Sequence, residues 1–155
     1  MDAVLIVGAG GILAPAAAAL VARGAAVTGV GRSRAMPQGV LPVFVDAQVS
    51  EDLDRALGRR RWSAAIVYLP AVSDASAARI AEAVDGRLVR VRMSAAADPA
   101  SGEFTLPADT LQLGWTDETR PRWHTPDEVS AAALAVFEDG ASRVLGAVRP
   151  WERRP

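Results

Sequence analysis

The chain has 155 residues, of which 50% are hydrophobic, and a formal net charge of -1 at pH 7. This length and composition predict a single folded domain, residues 1–155, and exclude a disordered chain. The small net charge favours neither a nucleic-acid partner nor an anionic membrane. The chain has no cysteine and one histidine, so no disulfide, thiolate nucleophile or metal site is predicted.

Apolar runs alternate with helical patterns along the chain, and this alternation predicts an α/β fold with a parallel sheet. Glycines interrupt the first apolar run and no basic segment precedes it. We therefore expect a strand there, not a signal peptide, and a cytoplasmic protein with no membrane span. The predicted strands are residues 3–7, 26–31, 40–46, 64–69, 87–93, 110–115 and 142–148, and the predicted helices are 12–23, 51–60, 74–84 and 126–137.

Three of the predicted helices follow a residue that is suited to cap them. Ser50 and Ser73 directly precede two of them, and a serine oxygen at that position accepts a free backbone N–H. Thr125 precedes the last helix, with Pro126 at its first position and Glu128 at its third. This spacing predicts a capping box.

The fifth and sixth strands alternate apolar and polar residues, whereas the first and fourth are apolar throughout. Arg90 and Arg92 alternate with valines, and Thr110 and Gln112 alternate with leucines. A period of two indicates that one sheet face is not covered by the core. Either these strands lie near the edge of the sheet, or a partner subunit or ligand takes the place of a covering helix.

A glycine-rich turn, GAGGILA, follows the first strand and opens the first helix, with Gly8, Gly11 and Ala14 at three-residue spacing. Glycine lets the backbone turn tightly and approach a pyrophosphate, and the helix N-terminus attracts the phosphate charge. The strand–turn–helix context favours a dinucleotide site. The alternative is a tight turn without a ligand.

The second strand ends in Gly31, Arg32 and Ser33, where an NAD site commonly has an acidic residue. A carboxylate repels a 2′-phosphate, whereas a guanidinium pairs with it through two hydrogen bonds. The sequence therefore predicts NADP(H) as the cofactor. The alternative is that Arg32 is an ordinary solvated loop residue.

These motifs resemble the short-chain dehydrogenase/reductase superfamily over residues 4–94 and 111–148. The glycine turn and VGRS resemble its NADP-type motifs, GRLVRVRMSAAA resembles the fifth strand that leads to the catalytic serine, and residues 122–148 resemble the last helix and strand. The resemblance implies a doubly wound parallel Rossmann sheet of about seven strands. It also implies a cofactor site that comprises Gly8, Gly10, Gly11, Ile12, Leu13, Arg32, Ser33, Asp46, Ala47, Leu69 and Pro70.

The chain departs from that family between the fifth and sixth strands. The family has a helix there with Tyr-x-x-x-Lys, but residues 94–108 contain neither residue, and their proline and glycine content disfavours a long helix. The whole chain lacks lysine, and its only tyrosine is Tyr68. We therefore predict an atypical, truncated member in which this helix is missing or replaced by a loop.

In a parallel sheet of this kind, ligands and catalytic residues are expected at the carboxyl ends of the strands. The catalytic candidates there are Ser94, Tyr68 and Asp117, and each also suits a structural role as a loop cap, a half-buried aromatic or a solvated loop residue. Histidine is a common proton donor and acceptor in catalysis, but His124 adjoins the Thr125 cap, so a structural role fits it equally.

Three functions are compatible with these features. The first is an NADP(H)-dependent reductase of a carbonyl, imine or enone, with non-standard proton donation and without a metal. The second is a cyclase, isomerase or lyase that keeps the pocket but performs no redox step. The third is a non-catalytic dinucleotide-binding sensor or subunit. A small-molecule substrate and a homodimer or larger homo-oligomer are expected.

Overall fold

The computed structural model describes residues 2–155, and over that range it contains seven strands and four α-helices. The strands are β1 (Ala3–Val7), β2 (Ala26–Gly31), β3 (Leu41–Phe44), β4 (Ala64–Tyr68), β5 (Leu88–Arg92), β6 (Thr110–Leu113) and β7 (Arg143–Leu145). The helices are α1 (Ala14–Ala22), α2 (Ser50–Leu57), α3 (Asp74–Glu82) and α4 (Pro126–Asp139).

All strands join one parallel sheet in the order β3-β2-β1-β4-β5-β6-β7. The chain winds outward from β1 to β3, then returns to β4 beside β1 and winds the other way. The predicted doubly wound Rossmann sheet of about seven strands is confirmed. In such a sheet, ligands bind where the winding reverses, at the carboxyl ends of the strands.

Two hydrophobic cores cover the two faces of the sheet. Helices α1 and α4 pack together on one face, and α2 and α3 cover the other. Alternate residues of β1 point into opposite cores, Val4 and Ile6 into the first and Leu5 and Val7 into the second. Burial on both faces explains why this strand is apolar throughout. No α-helix in residues 2–155 is long and apolar enough to cross a bilayer.

The connection between β5 and β6 contains two short 3₁₀ turns, Ser94–Ala97 and Pro99–Ser101, and no α-helix. This confirms the prediction that a loop and not a long helix connects these strands. The expectation of an uncovered face is wrong for β6, however, because Thr110 and Gln112 are both buried.

A hydrogen-bond network explains the polar face of β5 and β6. The Arg92 guanidinium donates to Gln112 Oε1 at 2.9 Å and to the carbonyl oxygen of Thr105 at 2.6 Å. It also lies 5.8 Å from the centre of the Phe104 ring. The chain's own loop therefore covers this face, and Arg92 and Gln112 bond to each other beneath it.

Two of the three predicted caps are confirmed. Ser73 accepts the backbone N–H of Ser76, while Thr125 and Glu128 form the reciprocal capping box. The prediction for Ser50 is wrong, since Ser50 is the first residue of α2 and Val49 precedes the helix without a side-chain cap. A turn in which the Val49 N–H donates to the Asp46 carbonyl starts the helical path one residue earlier than predicted.

Glu128 should stabilise the fold in a pH-dependent way. The Arg122 guanidinium and the Thr125 backbone N–H lower the pKa of Glu128 from its ordinary 4.5 to about 2. A carboxyl whose pKa is lower in the folded state stabilises the fold above its unfolded pKa, and this contribution is lost as the pH falls through its folded pKa. Glu128→Gln should therefore lower the unfolding midpoint at neutral pH, with a difference from wild type that shrinks between about pH 5 and pH 2.

Thermal unfolding followed by circular dichroism across this pH range measures that difference. Glu103→Gln is the matched control, because Glu103 is exposed and makes no ion pair within residues 2–155. A Glu128→Gln difference that stays constant with pH would contradict the assignment.

Candidate functional site

A cleft of about 550 Å³ opens at the carboxyl edge of the sheet, where the winding reverses. It is bordered by the glycine turn after β1, the loop after β2, the loop after β3 and the segment after β4. The lining residues are Val7, Gly8, Gly10, Gly11, Ile12, Val30, Gly31, Arg32, Ser33, Arg34, Val45, Asp46, Ala47, Gln48, Tyr68, Pro70 and Ala71.

The glycine turn has a tight side and an open side. The Gly8 carbonyl accepts the backbone N–H groups of Gly11, at 3.1 Å, and Leu13, at 3.2 Å. A Cβ atom on Gly10 would lie 2.9 Å from the Arg34 carbonyl oxygen, whereas one on Gly11 would meet no atom closer than 3.9 Å. Gly10 thus allows two loops to touch, and Gly11 leaves open space near the start of α1, where an anion is favoured.

A side chain from α4 holds this turn in place. The Ser130 hydroxyl is buried and donates to the Ile12 carbonyl at 3.0 Å. The sequence alone does not reveal this contact, because a serine in the middle of a helix gives no local signal for a partner 118 positions away.

The loop after β2 brings two guanidinium groups to the cleft. Arg32 and Arg34 are exposed and line it, and within residues 2–155 neither guanidinium makes a hydrogen bond or an ion pair. Nη1 of Arg34 lies 3.9 Å from the position of a Cβ on Gly11. The open side of the glycine turn therefore faces positive charge.

The loop after β3 closes another side of the cleft. Asp46 Oδ1 accepts the backbone N–H of Gln48 at 3.0 Å, and the Gln48 amide donates to the Pro70 carbonyl at 2.9 Å. Gln48 was not predicted, although it follows Asp46 and Ala47 in the same turn. It ties the loops after β3 and β4 together.

Two predicted cofactor residues are placed behind the cleft instead of on its wall. Leu13 is fully buried in the core beneath α1, and Leu69 packs against the core formed by α2 and α3. The other predicted cofactor residues all line the cleft.

A second, smaller cavity adjoins the cleft and shares Ile12 and Tyr68 with it. We call it the chamber; it has a volume of about 210 Å³. Two of the three catalytic candidates, Tyr68 and Ser94, meet there, whereas Asp117 is exposed and lines neither cavity. The chamber is lined by Ile12, Tyr68, Met93, Ser94, Leu113, Gly114, Trp123, His124 and Val129.

Tyr68 presents a neutral phenol to both cavities. Burial raises its pKa above the ordinary value of 10.0, because desolvation disfavours the phenolate. Within residues 2–155, neither the Tyr68 hydroxyl nor the Ser94 hydroxyl makes a hydrogen bond through its own oxygen. Both groups are therefore free to bind a ligand.

His124 also lies in the chamber wall, and its side chain is only 8% exposed. Neither imidazole nitrogen has a hydrogen-bond partner in residues 2–155. Glu128 Oε2 lies 3.8 Å from Nδ1, which is too far for a hydrogen bond. His124 directly precedes the capping residue Thr125, but its imidazole makes no hydrogen bond in the capping box.

No family model and no curated protein sequence matches the chain. Solved structures share its fold at low identity. BdcA, solved in complex with NADPH, matches with 15% identity and a TM-score of 0.66, over 95% of this chain and 93% of BdcA. A short chain dehydrogenase from Bacillus anthracis matches with 14% identity and a TM-score of 0.56, over 94% of this chain and 95% of the dehydrogenase. The TT0495 protein of Thermus thermophilus matches with 18% identity and a TM-score of 0.57, over 94% of this chain and 97% of TT0495.

Substituting the two central glycines should separate ligand approach from backbone packing. Gly11→Ala should leave the unfolding midpoint unchanged, because the added methyl has space, yet weaken NADPH binding at least about 10-fold if a pyrophosphate passes over the turn. Gly10→Ala should lower both stability and binding, because its methyl collides with the backbone of Arg34.

Thermal unfolding and calorimetric titration with NADPH measure the two effects on the same samples. Normal NADPH binding by a folded Gly11→Ala variant would show that no ligand approaches this turn closely.

Proposed function

We propose that the chain is an NADP(H)-binding oxidoreductase, an atypical relative of the short-chain reductases, that reduces a carbonyl, imine or enone group of a small molecule. The observation that carries this proposal is the cleft itself. A glycine turn with open space borders it, and beside that turn lie the guanidinium groups of Arg32 and Arg34, which have no partner within residues 2–155. This combination suits a dinucleotide with an additional phosphate.

The preference for NADP(H) over NAD(H) follows from charge. Gly31 ends β2, so no carboxylate occupies the position that would hold the ribose hydroxyls of NAD. Arg32 and Arg34 follow directly. Asp46 is the acidic residue of the cleft, and it lies in the loop after β3, where its Oδ1 accepts the Gln48 N–H.

Bound NADPH would supply two electrons and a hydrogen to an acceptor, and the protein's task is then position and electrostatics. The chamber next to the cleft provides an apolar space for the acceptor. Tyr68 stands at the junction of the two cavities, and its protonated hydroxyl can donate to an acceptor oxygen or nitrogen. A lysine that would lower the phenol pKa is absent from the chain. Proton donation therefore differs from that of the family.

A non-redox cyclase, isomerase or lyase is the second candidate. It is favoured by Tyr68 and Ser94, which both line the chamber and whose hydroxyls make no hydrogen bond within residues 2–155, in a chain that has no lysine. The hypothesis of a non-catalytic subunit loses its motivation, because the loop after β5 covers the face on which that hypothesis depended.

Arg32→Gln should weaken NADPH binding and leave NADH binding unchanged. A hydrogen-bonded charge pair contributes about 1.5–3 kcal/mol, which predicts a loss of about 10- to 100-fold in affinity. Calorimetric titration of both cofactors measures this ratio. Arg59→Gln is the matched control, because Arg59 is exposed, does not line the cleft and forms no ion pair within residues 2–155. Equal losses for NADPH and NADH would contradict the assignment.

Turnover separates the two enzymatic candidates. A panel of ketones, aldehydes, imines and enones mixed with the protein and NADPH should give a loss of NADPH absorbance that depends on the acceptor. Substrate conversion without NADPH consumption would favour the non-redox candidate instead. Binding of NADPH with no conversion of any acceptor would count against both.

A further inference from the structure

Two loops from different parts of the chain form much of the chamber wall. The β5 loop, residues 93–109, supplies Met93 and Ser94, and the β6 loop, residues 114–125, supplies Trp123. Within residues 2–155, no hydrogen bond joins one loop directly to the other. The distance between these parts of the wall therefore depends on what else the two loops contact.

Residues 149–153, which follow β7, bond to both loops, and we call this segment the strap. The Arg149 guanidinium donates to the carbonyl oxygen of Ala97 in the β5 loop at 2.8 Å. The Arg153 guanidinium donates to the carbonyl oxygen of Glu118 in the β6 loop at 3.0 Å. Both bonds end on backbone carbonyls, so they constrain the path of each loop and not merely a side chain that can rotate.

A series of aromatic rings runs from the strap to the chamber. The ring centres of Trp151 and Trp115 lie 5.8 Å apart, and those of Trp115 and Trp123 lie 6.3 Å apart, both in edge-to-face geometry. Such pairs stabilise beyond the area that they bury. Trp115 is 1% exposed, whereas Trp123 is 47% exposed. The ring at the chamber is thus in contact with a fixed ring on one side and open to solvent on another.

The strap and both loops also share one small hydrophobic core. Ala97 of the β5 loop, Trp115 of the β6 loop and Val148, which directly precedes the strap, are buried together, and Trp151 packs against them. A shift of the strap would therefore disturb both loops at once.

We propose that the strap sets the opening of the chamber by fixing the β5 and β6 loops relative to each other, and that Arg149 and Arg153 are its positioning residues. Neither arginine lines the chamber, so both act through the loops to which they bond. Release of either one frees the β6 loop, with Trp123, to move away from the β5 loop. The importance of this opening for turnover rests on the proposed function.

Trypsin, which cleaves after arginine, measures release of the β6 loop in the full folded chain. Arg122 directly precedes Trp123, and cleavage between them requires the loop to leave its folded path. Arg149→Met and Arg153→Met each remove one bond to a loop and keep an unbranched side chain. Each should accelerate this cleavage by about 5- to 10-fold, as expected for one hydrogen bond, because cleavage follows the population of the open form. Mass spectrometry of the fragments gives the rate at each site.

Three controls accompany this measurement. Arg154→Met removes a guanidinium that bonds only to the Trp151 carbonyl, so the cleavage rate should stay within about 2-fold of wild type. Arg153→Lys keeps a donor and should restore most of the wild-type rate. Cleavage after Arg59, which is exposed beyond α2, is the internal reference and should not change.

Two results of the digestion would overturn the proposal. Equal acceleration after Arg59 and after Arg122 would show general destabilisation instead of release of a loop. Acceleration by Arg153→Met alone would show a local tether, because Arg149 bonds to the other loop and affects cleavage after Arg122 only through the strap.

Fluorine NMR of protein labelled with 5-fluorotryptophan gives a second measure. The chain has four tryptophans, and Trp62, in the core beneath α2 and α3, serves as the reference. Arg149→Met and Arg153→Met should both shift the Trp123 signal, which Trp123→Phe assigns, and leave the Trp62 signal in place. A Trp123 signal that stays in place in both variants would overturn the proposal.

These measurements are made without a nicotinamide cofactor, so the two proposals can fail separately. A strap response in a protein that neither binds nor oxidises NADPH would overturn the proposed function and leave this inference standing. Oxidation of NADPH by a protein whose β6 loop does not respond to Arg149→Met would do the reverse.

Discussion

The close contact between Gly10 and the backbone of Arg34 determines how the candidate site is arranged. A Cβ at position 10 would lie 2.9 Å from the Arg34 carbonyl oxygen, and one on Gly8 would lie 3.2 Å from Cβ of Tyr68. The ends of β1, β2 and β4 thus meet with no room for a side chain between them. Since Tyr68 belongs to both cavities, this crowding fixes the chamber relative to the cleft, and movement of the turn would disturb both.

The connection between β5 and β6, which contains no α-helix, affects the site as well as the fold. Arg92 and the loop around Thr105 bury Gln112, whose amide nitrogen then donates to the Met93 carbonyl at 2.9 Å. This bond holds the backbone that presents Met93 and Ser94 to the chamber. A buried polar network of this kind stabilises only when its members are satisfied, and here it positions the backbone of the chamber wall.

The sequence was informative for most features that depend on local pattern, although the Ser50 cap was an exception. The order of strands and helices, the capping box at Thr125 and the glycine turn all depend on residues a few positions apart, and the structure places them as expected. Contacts between distant segments could not be predicted in this way. The sequence pattern suggested that one face of β6 is uncovered. A period of two cannot show that Arg92 and the loop around Thr105 would cover Gln112. Ser130 and Gln48 were missed because their partners, Ile12 and Pro70, lie far along the chain.

The contrast between the two cavities bears on how such a site could act without a lysine. The cleft is exposed and charged, which suits phosphate groups, while the chamber is mostly apolar and its hydroxyl-bearing residues are Tyr68 and Ser94. In an apolar space each hydrogen bond is electrostatically stronger than in water, and donors fixed beforehand need no reorganisation when charge develops on a ligand. Burial keeps Tyr68 protonated and hence a donor, instead of making it the more acidic phenol that a neighbouring lysine would produce. Any proton transfer in this chamber would therefore rely on the fixed positions of the Tyr68 and Ser94 hydroxyls.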